Sequence, residues 1–193
     1  MANVDAAFGL RPIGKVGSNR DAQGNTEYEI AACASAIYQN DCVKASGAGI
    51  AIAAATDNGA LLGALTGVFF TDTTTSKPTF ANNLAASNAA TDIKGFVTDD
   101  PFQLYEIQSN NSGASAQGDV GLNADLSVAA GASPHYISKT ELDDDGSPAI
   151  AATTLNLRIM NVSDDPSNSD LTAANVNWKV IITEPFLMTT SGQ

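Results

Sequence analysis

The 193-residue chain carries 21 acidic against 9 basic side chains, a formal net charge of −12. Such a balance repels phosphate and so disfavours direct binding to nucleic acid or to an anionic membrane. The length suits one domain, or one domain with an extended arm, and a globule of this size buries roughly 70% of the surface that its unfolded chain exposes. Hydrophobic residues make up 44% of the chain but aromatics only 6%. The core is therefore expected to be built largely from small side chains, with part of the stability supplied by partners.

Residues 1–25 hold Gly9, Pro12, Gly14, Gly17 and Gly24 with apolar Phe8, Leu10 and Ile13 between them. No helical period runs through them and the glycines oppose a long strand, so the segment reads as an extended N-terminal arm with apolar anchors. Arg11 and Lys15 place two bases on it. No basic start or apolar run opens the chain, so no secretory signal is expected. Gly59–Phe70, the longest uncharged apolar stretch, is too short to span a bilayer. A soluble protein with no membrane partner is the expectation.

Residues 26–193 read as a single β-rich domain. Glu27–Ala32 alternates, with Tyr28 and Ile30 inward. Ala36–Lys44 and Gly49–Ala55 follow as strands. Leu61–Phe70 is apolar on both faces and punctuated by glycines, the pattern of a central strand that bends. Thr71–Ser76 and Ala81–Thr91 are polar connections. Ile93–Thr98 and Phe102–Gln108 are expected to pair as an antiparallel hairpin around Asp99-Asp100-Pro101, because proline pushes the residue before it toward extended geometry. Asn110–Gly118 reads as a loop. Leu155, Leu157 and Ile159 face one way, and Asn156, Arg158 and Met160 the other. Val176, Trp178, Val180 and Ile182 alternate with polar neighbours in a final strand expected at the centre of its sheet. Many short strands and almost no helix signature indicate an antiparallel β-sandwich or small β-barrel.

Little of the familiar chemistry is present. His135 is the only histidine, and no Gly-x-Ser-x-Gly elbow occurs. The acids sit mainly in turns, where solvent keeps carboxyl groups ordinary and leaves no acid poised near neutral pH. Glu141-Leu142-Asp143-Asp144-Asp145-Gly146 imitates the first half of a calcium loop, but Ala152 stands where a bidentate glutamate belongs. The Asp143–Asp145 turn is read as a solvated reversal rather than a cation site. Cys33 and Cys42 fit no zinc or redox spacing and read as small buried hydrophobes. No phosphate loop or dinucleotide fingerprint is found. Neither enzymatic activity nor a cofactor or metal is expected.

Several blocks carry a family resemblance. Ala7-Phe8-Gly9-Leu10-Arg11-Pro12 resembles the opening of a group of small structural proteins of tailed, marine and cyanophage-type bacteriophages. Asp99-Asp100-Pro101 through Tyr105-Glu106-Ile107-Gln108 is similar to that family's central motif, and Gly118–Asp125 to its next block. Leu155–Ile159, Asp165–Asn168 and Trp178–Ile182 resemble its C-terminal strands, while Lys139 departs from the expected turn. The resemblance implies a capsid cement or decoration protein on the outer surface of a major capsid protein shell, assembled in the host cytoplasm and stabilising capsomer junctions. Self-association into a trimer or dimer is expected. Capsid contact is expected through Phe8, Leu10, Arg11, Pro12 and Ile13, laid across a neighbouring subunit. The alternatives are a glycan-binding surface module using Tyr28, Tyr38, Tyr105 and Tyr136 as stacking platforms, or a tail or baseplate component.

Overall fold

The computed structural model describes residues 2–17, 24–30, 35–47, 49–54, 59–110, 115–143 and 155–189. One six-stranded sheet runs β1 (Arg11–Lys15), β10 (Gln103–Gln108), β14 (Asn177–Ile182), β13 (Leu157–Val162), β11 (Asn123–Ser127), β12 (Glu141–Asp143). The second runs β2 (Thr26–Glu29), β9 (Lys94–Thr98), β6 (Gly63–Thr71), β4 (Cys42–Ser46), β5 (Gly49–Ile52), with β7 (Pro78–Ala81) also paired to β6. A two-stranded pair, β3 (Ile37–Tyr38) and β8 (Asn83–Leu84), adds to them. The pairings between these strands are antiparallel. The sheets do not close on themselves, so of the two expected architectures the molecule is the β-sandwich.

The sheets enclose the main core. β14 lies between β10 and β13 and buries Val176, Trp178, Val180 and Ile182, as its alternation requires. Leu157 and Ile159 on β13 point the same way, while Arg158 and Met160 face solvent. Cys42 and Ala64 come up from the second sheet to meet them. Each large side chain buried in this way contributes roughly 1.5–3 kcal/mol.

The second sheet is apolar on both faces. Val43, Leu65, Val68 and Val97 turn away from the main core into a second cluster with Ile37 and Leu84 of the small β3–β8 pair. This is why Leu61–Phe70 reads as apolar on both faces: Leu61 and Ala64 serve one core, and Leu62, Leu65 and Val68 the other. The expected strand over Ala36–Lys44 is broken in two at Asn40, whose φ of 66° turns the chain. Cys42 is buried, as expected of a small hydrophobe, and Cys33 lies outside the described residues.

The hairpin expected around Asp99-Asp100-Pro101 does not form. β9 pairs with β2 and β6 in one sheet, while β10 pairs with β1 and β14 in the other. The turn is a corner between sheets. Asp99 accepts hydrogen bonds from Thr26 (2.9 Å) and Tyr28 (2.6 Å) on the β2 side. Asp100 caps the Phe102 amide at 2.8 Å and binds Lys15 at 2.6 Å on the β1 side. The buried Tyr105 hydroxyl donates to the Thr98 carbonyl at 2.8 Å and ties the two sheets across the corner. Local extended propensity is satisfied equally by a hairpin or a sheet change; the apolar faces of both strands decide for the latter.

Candidate functional site

The two blocks at residues 7–12 and 99–108 meet in space. β1 forms the edge of the first sheet and pairs with β10 from Arg11↔Glu106 to Lys15↔Gln103, with a bulge between Pro12 and Gly14. The polar side chains of β10 then hold the segment on either side of that ladder. Gln103 donates to the Gly14 carbonyl at 2.7 Å. Gln108 accepts the Ala6 amide at 2.8 Å and donates to the Val4 carbonyl at 2.9 Å. Asn168 donates to the same Val4 carbonyl at 2.8 Å, and the Asn3 side chain reaches the Asp170 and Ala174 carbonyls. Glu106, 5% exposed, receives Arg11, Ser163 and Asn177. A buried carboxylate with three donors is satisfied, and stripping its cation leaves a charge without compensation.

In the isolated chain the segment expected as a docking arm lies against its own domain. Leu10 is fully buried in the main core, and its amide donates to the Asn40 carbonyl at 2.8 Å. Phe8 is half-buried with the Arg11 guanidinium 4.3 Å from its ring centroid, and Pro12 lies opposite Tyr105. Of the five expected anchors, Ile13 alone combines an apolar side chain with substantial exposure, at 38%. The physical reason is that β10 without β1 would present a bare edge, and its N–H and C=O groups find partners in the chain's own N-terminal residues.

Gly9 is where this strap meets the body. Its φ is +75°, and an added Cβ would lie 2.5 Å from both the Asn40 carbonyl oxygen and Ser138 Cβ. Gly9→Ala is expected to destabilise the protein by roughly 1–3 kcal/mol, because both backbone strain and collision oppose it. A urea unfolding midpoint unchanged from the parent would contradict this.

Beneath the same junction lies Asp41, fully buried. One carboxyl oxygen accepts the Tyr38 amide at 2.7 Å, Ser138 also hydrogen-bonds to the group, and Oδ1 has no partner. Desolvation pushes its pKa up to about 6, against the smaller opposing pull of Ser138 and the Tyr38 amide. The expectation that no acid is poised near neutral pH is thus overturned, because Asp41 belongs to a turn that the fold seals from water.

The opposite feature, apolar surface left in water, gathers at the Pro101 corner. Phe102 and Met188 are each 60% exposed, Leu187 52% and Val16 39%. The Val16 amide donates to the Phe102 carbonyl at 3.0 Å, which brings the end of β1 to the corner. The C-terminal 3-10 turn Phe186–Met188 brings Leu187 and Met188 there too. Pro101, Phe102, Ile181, Pro185 and Met188 line a groove of about 640 Å³. A second hollow of about 430 Å³ shares Pro101 and runs past Lys15, Asn25, Asp100 and Leu187.

The remaining sequence candidates are scattered. His135 is exposed, with its carbonyl accepting Asn82 at 2.9 Å. Tyr105 is buried and Tyr28 is engaged by Asp99, so the four tyrosines do not form one stacking platform. Among the described residues no group of three or more His, Cys, Asp or Glu is arranged to hold a metal ion. Asp143 ends β12, and the rest of the acidic turn lies outside the described residues. Among the described residues no helix is long and apolar enough to cross a membrane. No protein-family model matches the chain, and no curated protein or solved structure matches it either.

The Asp99–Gln108 stretch, read from the sequence as half of a hairpin, is instead a corner followed by the strand that holds the N-terminal segment. The signal for that role is the polar series Gln103, Glu106, Gln108 within an otherwise apolar strand. Such groups are retained in a buried strand when they have a fixed partner.

Proposed function

We propose that this protein is a virion structural protein without enzymatic activity, a cement or decoration protein seated on the outer surface of a major capsid protein shell at capsomer junctions. The observation that carries the reading is the apolar end at the Pro101 corner, where Phe102, Leu187 and Met188 stand in water on an otherwise acidic body. Exposed apolar groups clustered beside a groove mark a place where another protein docks. The resemblance of residues 7–12, 99–108 and 118–125 to small phage structural proteins supplies the kind of partner. A net charge of −12 opposes a seat against packaged DNA and favours the outer face.

Docking buries Phe102, Leu187 and Met188, each contributing roughly 1.5–3 kcal/mol before association costs are subtracted. One such contact is weak. A trimer or dimer on a symmetry axis presents several at once and gains by effective concentration. The strap fixes the first sheet's edge, so the end it shares with the corner is held rigid before docking.

The test is incubation of the purified protein with expanded, empty phage heads that lack it. Saturable binding and a raised shell melting temperature are expected, with Phe102→Ser combined with Met188→Ser weakening binding at least tenfold and leaving the protein's own fold intact. Absence of binding, or shells whose melting temperature does not change at full occupancy, would refute the proposal.

A further inference from the structure

A second exposed surface shares no residue with the Pro101 corner. The register of the second sheet places two cross-strand rows on one face. In one row Glu29 lies opposite Lys94, Lys94 opposite Phe69, and Phe69 opposite Phe80. In the next, Glu27 lies opposite Phe96 and Phe96 opposite Gly67. Directly opposed residues of antiparallel strands share a face, so these side chains form one surface. Phe80 is 68% exposed, the most exposed of the molecule's large apolar side chains among the described residues.

The ring bed is built deliberately. A Cβ at Gly67 would stand 2.7 Å from the Phe80 ring, so the glycine leaves room for that ring to lie across the strand. Phe80 and Phe96 are 5.7 Å apart, centroid to centroid, at 43°. The rim is acidic. Lys94, between Glu29 and Phe69 in the first row, is engaged by Glu27 at 2.5 Å, while Glu29 is exposed and Asp92 binds Thr71 beside it.

This charge decides among possible occupants. A second copy meeting it face to face would set Glu27 and Glu29 against their own counterparts, on a chain that already carries −12. Phosphate-bearing partners are repelled for the same reason. A planar cation satisfies both elements: its flat face lies on the phenylalanine rings and its N–H groups meet the carboxylates. We propose that Phe80, Phe96 and Phe69, rimmed by Glu27 and Glu29, form a docking shelf for an arginine-bearing segment of a partner protein. The shelf does not depend on the shell reading, because its chemistry follows from the sheet register alone.

The probe is a synthetic Gly-Arg-Gly-Arg-Gly peptide titrated into the full-length protein at low salt, with lysine and citrulline versions as comparisons. Aromatic NMR resonances of Phe80 and Phe96 report the site. The arginine peptide is expected to shift both rings, the lysine peptide to bind more weakly, and the citrulline peptide not to bind. Phe80→Ala, and separately Glu27→Gln with Glu29→Gln, should each weaken binding at least fivefold without altering the melting curve. Arginine-peptide binding that survives Phe80→Ala unchanged would mean diffuse attraction to an acidic surface and would overturn the proposal. So would citrulline binding as tight as arginine, or ring resonances that do not move.

Discussion

Lowering the pH from 7.5 to 5 is expected to strengthen folding through Asp41 on the order of tenfold in the unfolding constant, and Asp41→Asn to remove that gain. The direction follows from the sign of the shift. A carboxyl whose pKa is raised by folding, here to about 6 from 3.8, binds its proton more tightly in the folded state. Its contribution is complete below the unfolded value and is lost as the pH rises through the folded one. The window is therefore pH 4 to 7.

Other carboxyls set the background. Asp72, Asp92, Asp100 and Asp170 are held below the usual range, chiefly by hydrogen bonds from Thr75, Thr71, Lys15 and Thr172 respectively. They act with the opposite sign and at lower pH. Burial raises Asp125 and Glu141, which therefore add to the Asp41 effect. The comparison with Asp41→Asn isolates the one group. Tyr38 contributes its amide and Ser138 its hydroxyl, and no charged side chain is among the influences on Asp41. Urea unfolding at pH 5, 6 and 7.5 measures the result. Parallel pH profiles for parent and variant would show that Asp41 does not take up a proton on folding.

Leu10→Ala is expected to cost the isolated protein about 2–5 kcal/mol, and Ile13→Ala no more than about 0.5 kcal/mol. Both residues are apolar members of the same glycine-rich segment, yet Leu10 is completely buried in the core and Ile13 is 38% exposed at the β1 bulge. A docking arm free of its own domain would make both substitutions silent without a partner. A strap built into the core makes one severe and the other mild. The unfolding midpoints of the two variants, with unchanged denaturant sensitivity, decide the matter. Equal small effects would show that the strap is not part of the cooperative unit. Equal large effects would show that the bulge carries packing that its exposure does not suggest.

Much of the β architecture is legible in the amino-acid sequence. The alternation of Val176, Trp178, Val180 and Ile182 predicts an inward face, and that face is buried at the centre of the first sheet. The two-sided apolarity of Leu61–Phe70 predicts a covered strand, and its first half is covered on both faces, by Leu61 and Ala64 in one core and Leu62 and Leu65 in the other. What the same patterns did not reveal was pairing. Ile93–Thr98 and Phe102–Gln108 have the features of a hairpin, but Tyr105 and Ile107 enter the core between the sheets while Val97 enters the other cluster. Asp99 and Asp100 are as compatible with a corner as with a turn.

The candidate sites divide along the same line. Phe102 interrupts nothing in the sequence pattern, and its exposure arises because the corner, the end of β1 and the C-terminal turn converge there. Glu27, Phe69, Phe80 and Phe96 are spread over several separate strands, and only the register sets them on one face.

By itself the amino-acid order determined the longer alternating strands, their inward faces and an acidic surface hostile to phosphate, because two-residue alternation and formal charge are local properties. Which sheet each strand joined, the closing of the strap over β10 and the sealing of Asp41 were decided only in three dimensions. Those outcomes depend on burial shared between segments distant along the chain, where one set of apolar faces can be covered in several ways until all of them are placed together.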